Sequence, residues 1–326
     1  MDKIDIAFLP TPIQEMPELR KALGPDCPKL FVKRDDLTGL ATGGNKVRKL
    51  EYLISDAKAK GTTVLLTAGA AQSNHCRQTA AAAVLSGMRC VLVLGGTEQP
   101  KSDWKGNLLL DGLFNAEIIW TTRDKRNQVM AEVKSKLESE GEKPYLMPLG
   151  GSSPVGVFGY INAFTEAHNQ ITEQSLNISH MVVSTSTGGT QAGLILGNLR
   201  HKTNYVIEGM NNEPDDDMQS IISELINQSS KILSEQIQTK PADIVIPEWI
   251  GTHDYAEITE NEVEAIKLFA STEALILDPV YTGRAASEMI KGIHSGHYKK
   301  TDSILFWHTG GVASVLHRGA DIFGLI

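Results

Sequence analysis

The sequence predicts an α/β protein built on open, largely parallel sheets with helices on both faces. Three observations predict it. Short apolar runs recur along the chain: "TVLLTA" (63–68), "CVLVL" (90–94), "AEIIW" (116–120), "MVVSTS" (181–186), "NYVIEG" (204–209) and "SILFWH" (303–308). Amphipathic or alanine-rich segments of helical length lie between them, at 74–86, 125–140, 190–200, 216–235, 259–273 and 283–294. Strand–helix alternation of this kind makes parallel sheets that helices cover. Three of the runs lead into small polar loops, "GAAQSN", "TGGTQAG" and "TGGVAS". Carboxyl ends of strands are where an open α/β sheet places its ligand.

Composition narrows the class. A chain of 326 residues suffices for one large α/β domain or two modest ones sharing a cleft. It is 41% hydrophobic and 21% charged, as soluble globular proteins are. No stretch approaches the roughly 20 apolar residues that span a bilayer. The opening "MDKIDIAFLPTPIQ" lacks the basic-then-apolar pattern of a secretion signal. A formal net charge of −8 argues against nucleic acid or an anionic membrane as partner. Cys27, Cys76 and Cys90 form no CxxC pair and suit a reducing compartment, so a cytoplasmic location is expected. The acidic, turn-rich "NNEPDDDMQS" (211–220) reads as a surface loop before a helix.

The stretch "ATGGNKVRKLEY" (41–52) crowds Lys46, Arg48 and Lys49 where a helix begins. Asn45 is a good N-cap, and Leu50, Leu53, Ile54 and Ala57 form the apolar stripe. Cations are disfavoured at a helix start, and positive surroundings and burial both lower an ammonium pKa. A neutral amine is what a Schiff-base lysine offers a carbonyl, although a lone lysine is also an ordinary surface residue. In "STSTGGTQAGL", Gly188 and Gly189 permit a tight turn between Thr187 and Thr190. Backbone N–H groups there bind a phosphate, or the threonines simply cap a helix. Neither GxxxxGK[ST] nor GxGxxG occurs, which disfavours nucleotides.

In "GAAQSNHCRQTAAAA", Ser73 and Asn74 stand where a helix of small residues starts. They cap it, or they hold a carboxylate. His75 reads as a packing or hydrogen-bonding histidine. His294 and His297 have a conceivable metal spacing but no third ligand nearby in sequence, so no metal is expected. An amine, a phosphate loop without a nucleotide signature and further polar loops on one sheet edge are the set that pyridoxal phosphate needs.

Together "VKRDDLTGLATGGNKVRKLEYLISDA", "TAGAAQSNHCRQTAAAA", "STSTGGTQAG", "LDPVYTGRA" and "HTGG" resemble the D-cysteine desulfhydrase and 1-aminocyclopropane-1-carboxylate (ACC) deaminase family of pyridoxal-phosphate enzymes. The resemblance runs from about Thr11 to Gly311. It implies fold type II, the tryptophan-synthase β-subunit type, with two open three-layer αβα domains and the cofactor in the cleft between them. The larger domain would comprise 1–50 plus 161–326 and the smaller 51–160. Lys46 would bind the cofactor aldehyde, and Thr187, Gly188, Gly189 and Thr190 its phosphate, with Lys49 close by. Asn74 would meet the ring hydroxyl, and Ser73, Asn74 and His75 the substrate carboxylate. Tyr281 would lie at the substrate, and a homodimer is implied.

Two positions divide that family. ACC deaminases carry a glutamate after the tyrosine and HLGG in the late motif; here the residues are Thr282 and Thr309. A glutamate against the pyridine nitrogen keeps it protonated and the ring a strong electron sink, whereas a threonine only hydrogen-bonds. Thiol elimination tolerates the weaker sink, so β-elimination of D-cysteine to pyruvate, hydrogen sulfide and ammonia is expected ahead of ACC ring opening. Lys46 or Tyr281 would take the Cα proton. By spacing Tyr255 matches a further active-site tyrosine, but "YAEIT" replaces the family's YGxP, and "PEWIGTHDY" (247–255) also differs. That leaves room for another β-substituted substrate, such as L-cysteate. The loop glycines near "GGSSPVGVFGY" (150–160) agree with the family in outline, with Ser153 where the family has asparagine.

Overall fold

The computed structural model describes residues 1–212, 217–247 and 257–324. In chain order the strands are β1 (Ile13–Glu15), β2 (Lys29–Arg34), β3 (Val64–Ala70), β4 (Arg89–Gly95), β5 (Glu117–Thr121), β6 (Pro144–Leu146), β7 (His180–Thr185), β8 (Val206–Asn211) and β9 (Ser303–His308). The helices are α1 (Pro17–Ala22), α2 (Lys46–Ala59), α3 (Asn74–Ser86), α4 (Gly106–Leu113), α5 (Arg126–Ser139), α6 (Pro154–Glu173), α7 (Gly189–His201), α8 (Met218–Ile232), α9 (Glu260–Glu273), α10 (Thr282–His294), α11 (Val312–His317) and α12 (Gly319–Gly324). No described helix is long and apolar enough to cross a membrane.

The strands form two sheets, ordered β1-β2-β9-β7-β8 and β5-β4-β3-β6. Every pairing is parallel except β1 with β2. Both faces of the larger sheet are covered. Val183, Leu305 and Trp307 pack under α6, α7 and α8 on one side, and Val182, Ile304 and Phe306 under α9 and α10 on the other. Burial on both faces explains why these strands read as continuous apolar runs. All six apolar runs are strands, and all six helical segments are helices within a few residues. "KLFVKR" (β2) is missing from the expected runs because charged Lys29, Lys33 and Arg34 break its pattern.

Residues 150–160 divide between a turn and a helix. Gly150 and Gly151 turn with φ of +64° and +63°, but α6 begins at Pro154, and the Ser153 hydroxyl caps it by accepting from Gly156 N–H at 3.1 Å. Gly159 lies inside α6 because α2 crosses there: a Cβ would stand 2.3 Å from the Arg48 carbonyl oxygen. Asn45, at the start of α2, does not cap it. Its Nδ2 donates instead to Thr190 Oγ1 at 3.0 Å, fastening α2 to the start of α7. Helix α2 serves both cores, Tyr52 packing with α6 and Leu50, Leu53, Ile54 and Ala57 with the smaller sheet.

Candidate active site

A cavity of about 400 Å3 opens between the carboxyl ends of the two sheets. Its wall takes Ala68, Gly69 and Ala70 from β3, Gly95 from β4, Ser184 and Thr185 from β7, and Thr309 from just beyond β9. Of the expected site residues, Lys46, Ser73, Asn74, His75, Thr187, Gly188, Thr190, Tyr281 and Thr309 line it. Gly189, Lys49 and Thr282 do not. Tyr255 lies outside the described residues.

The crowded cations part company: on a helix Arg48, two positions on, faces away from Lys46, while Lys49, three on, shares its side but is directed elsewhere. Lys46 faces the cavity, and burial brings its pKa down to about 8. Arg48 points away into a buried cluster, bonding Asp35 at 2.8 Å and Glu166 at 2.9 Å, so it is neutralised there and is not what lowers Lys46. Lys49 runs behind the cavity wall to Ser152 Oγ at 3.2 Å and Gly150 O at 3.3 Å. Burial and then the charge of Lys46 push its pKa well down. As the amine expected to meet pyridoxal phosphate, Lys46 with a pKa of about 8 makes a definite prediction for the cofactor-free protein. Its rate of cofactor uptake should rise about tenfold per pH unit up to about 8 and then level off, as stopped-flow absorbance would record; a rise continuing towards the ordinary lysine range would contradict the depressed pKa.

The loop from β7 into α7 is tied in place by a residue the sequence does not single out. Ser152 Oγ accepts from Gly189 N–H at 3.1 Å and meets Thr187 Oγ1 at 2.7 Å. Gly189 N–H is thus spent on loop structure. Gly188 holds φ +76°, and at Gly150 a Cβ would stand 2.5 Å from Thr187 Oγ1 and 3.3 Å from Lys46 Nζ. Thr185 Oγ1 is buried in the wall with no hydrogen-bond partner among the described residues. Such a group is costly unless a ligand meets it.

On the opposite wall Ser73 caps α3, its Oγ accepting from Cys76 N–H at 3.2 Å, so the capping alternative holds for Ser73. Gly69 is required beneath it, since a Cβ there would stand 2.7 Å from Ser73 Oγ. Asn74 Oδ1 accepts from Arg77 Nη1 at 2.8 Å and Asn107 Nδ2 at 3.0 Å, which leaves its NH2 as the donor it offers the cavity. Arg77 also donates to Gly43 O at 2.9 Å, linking this wall to the turn before Lys46. Arg77 and Asn107 are absent from the expected site because their partners are remote or unremarkable in sequence. His75 Nε2 meets Thr67 Oγ1 at 3.0 Å, and that hydroxyl donates onward to Met147 O at 3.0 Å. The proton therefore sits on Nε2, and Nδ1 is a buried acceptor with no partner among the described residues. Burial, then Lys46 and Lys49, holds the ring pKa well below its usual value. A neutral imidazole with an acceptor free cannot donate to a carboxylate, so the carboxylate role expected of His75 passes to the Ser73 hydroxyl, the Asn74 NH2 and the backbone N–H groups of this turn.

Thr282 also departs from expectation. It is fully buried, its Oγ1 accepting from Asp278 N–H at 2.7 Å and donating to Asp278 Oδ1 at 2.8 Å. Asp278 additionally takes the N–H groups of Val280, Tyr281 and Thr282, and so holds the turn that presents Tyr281. The expectation for the ring nitrogen therefore falls on Thr309 alone, whose carbonyl accepts from Asn45 N–H at 3.0 Å.

Comparison with known proteins agrees with this geometry. The profile of the family described as "Pyridoxal-phosphate dependent enzyme" matches residues 4–310. The chain belongs to that family. A Pyrococcus abyssi (strain GE5 / Orsay) protein named "Putative 1-aminocyclopropane-1-carboxylate deaminase" is 36% identical over 320 residues, covering 97% of this chain and 93% of its own. The crystal structure of an ACC deaminase homologue superposes with TM-score 0.88 at 34% identity, covering 100% of this chain and 96% of that one. A threonine deaminase of T.th. shares the fold at TM-score 0.65 and 16% identity, covering 92% of each chain. The architecture is that of fold type II pyridoxal-phosphate enzymes, and this family member is a pyridoxal-phosphate-dependent enzyme of the lyase and deaminase kind. Its own residues fit the cofactor: a buried amine of lowered pKa, a glycine-lined cradle that a Cβ would fill, and the orphaned Thr185 hydroxyl.

Proposed function

We propose that the enzyme eliminates the β-substituent of a small amino acid, with D-cysteine giving pyruvate, hydrogen sulfide and ammonia. The observation that carries this reading is the cavity wall itself, which among the described residues contains no carboxylate. The hydroxyl of Thr309 is the group there for the ring nitrogen, and a hydroxyl does not hold a pyridine protonated. A weakened electron sink suits a substrate whose departing sulfur takes the electron pair. The D configuration follows the family resemblance.

Pyridoxal phosphate, when bound, supplies the electron sink for a carbanion at Cα. Lys46 is the residue for its aldehyde, and Thr185, Thr187, Gly188 and Thr190 for its phosphate. Asn74 is suited to the ring hydroxyl, since Arg77 and Asn107 fix its oxygen and turn out its NH2. Ser73 and the N–H groups at the start of α3 are suited to the substrate carboxylate, helped by the helix dipole. Lys46, partly neutral near pH 8, is the general base for the Cα proton, and Tyr281 is held within the same cavity.

Two other readings have specific support. ACC deamination to 2-oxobutanoate and ammonia is favoured by the names of the two relatives of 34–36% identity. A substrate with a second anion, such as L-cysteate, is favoured by Arg123 and Arg126, which stand in the wall beside Gly95. Assaying D-cysteine, ACC and L-cysteate side by side separates them. Sulfide and pyruvate from D-cysteine, with kcat/KM at least about tenfold above the others, is the expected result. Preferential 2-oxobutanoate release from ACC would overturn the ring-nitrogen reading, and sulfite from L-cysteate would shift specificity to the arginines.

A further inference from the structure

We propose that His180, Glu208 and His297 form a site for a divalent transition-metal ion of the zinc class, at the end of the larger sheet remote from the cofactor cavity. His294 and His297 lack a third ligand in the sequence because the missing ligands come from strands about 90 and 120 residues earlier. His180 is the first residue of β7, and Glu208 pairs in register with Val182, two residues further along the same strand and so on the same face. His297 follows α10 and closes over them. One ligand atom from each of the three lies within 4.8 Å of the others.

The groups behind these side chains orient them as partners of metal ligands do. Ser179 Oγ meets His180 Nδ1 at 2.9 Å, which leaves Nε2 for an ion. Tyr298 Oη donates to Glu208 Oε2 at 2.7 Å, turning Oε1 to His297 Nε2 at 2.8 Å. Glu208 is 1% exposed, a carboxylate taken out of water, whereas the His297 side chain is 36% exposed and gives an entry path. Two imidazoles and one carboxylate suit zinc, cobalt or nickel and not magnesium or calcium, which prefer all-oxygen shells. Bonds of about 2.0–2.1 Å in a tetrahedral shell hold donors roughly 3.3 Å apart. Closing the trio is therefore a side-chain adjustment, with the ion replacing the His297–Glu208 hydrogen bond and water completing the shell. His294, one helical turn away and exposed, is not part of it.

Bound metal would tie β7, β8 and the α10–β9 connection together at the end opposite the Ser184–Gly188 loop. The test uses chelator-treated holoenzyme titrated with Zn2+ and with Co2+. One equivalent should bind, Co2+ should show visible d–d absorption of a tetrahedral or five-coordinate site, and saturating Zn2+ should raise Tm by about 3–6 °C. His297→Ala should lose the absorption and the Tm shift, His294→Ala should keep both, and Mg2+ should do nothing. Glu208→Gln should weaken Zn2+ binding at least about tenfold. Less than one equivalent bound at micromolar Zn2+, or equal binding by His297→Ala, would overturn the site, whatever substrate the enzyme proves to use.

Discussion

Lys46→Ala is expected to abolish turnover, with kcat lower by at least about 10^4-fold, because it removes the proposed covalent anchor and the proposed general base together. The amine has the right chemistry for both parts. Burial at the cavity wall lowers its pKa to about 8, and among the described residues no carboxylate lines that wall to restore its charge. Borohydride reduction of wild-type holoenzyme followed by peptide mapping should place the cofactor on Lys46. Label on Lys49 would contradict the geometry, since that amine is directed to Ser152 and Gly150. Residual activity within about 100-fold of wild type would remove Lys46 from the proton transfer. Arginine at this position would not rescue, because a guanidinium stays charged and forms no such bond.

What the sequence discloses follows from distance along the chain. Strand–helix alternation and the three glycine-containing loops are local patterns, and each corresponds to an observed element or to a wall of the cavity. Side-chain direction at a turn is not local. Thr282 follows Tyr281 directly, yet the backbone turns between them, so one lines the cavity and the other is consumed by Asp278. Ser152 is invisible for a different reason. It is an undistinguished serine until the fold brings it to Gly189 and Thr187, some 35 residues on. Likewise nothing beside Arg48 in sequence announces Glu166, so the cation cluster at 46–49 resembles one positive patch when it is three separate environments. The His180–Glu208–His297 trio is the same lesson at the far end of the sheet.

The second large effect concerns stability. Asp35→Asn is expected to cost roughly 3–5 kcal/mol, the range for breaking a buried ion pair from one side. Asp35 is 0% exposed and accepts five hydrogen bonds: Arg48 Nε at 2.9 Å, Arg48 Nη2 at 2.8 Å, Thr11 Oγ1 at 2.9 Å, Tyr160 Oη at 2.6 Å and Trp307 Nε1 at 2.8 Å. Glu166 supplies a second carboxylate, and Arg48 and Lys33 balance the two charges. Neutralising Asp35 leaves one excess cation in a buried cluster and sets an amide NH2 against donors. Burial alone would raise the Asp35 pKa, but Arg48, Lys33 and Trp307 outweigh it and hold the carboxyl down to about 2. A folded pKa below the unfolded value of about 3.8 means stability fully present above pH 4 and lost as pH falls through about 2, worth about 2 kcal/mol. Urea unfolding at neutral pH should therefore separate wild type from Asp35→Asn by the full amount, with a Tm lower by roughly 4–7 °C. The gap should narrow as pH falls below 4; a gap under about 1 kcal/mol at pH 7 would show the cluster to be dispensable. The consequence reaches the site, because this cluster pins the start of α2 to Tyr160 of α6 and Trp307 of β9. Asp35 O also accepts from Gly44 N–H at 3.0 Å, two residues before Lys46. The arginine that looks like part of a catalytic cation patch instead holds in place Lys46, the lysine proposed for catalysis.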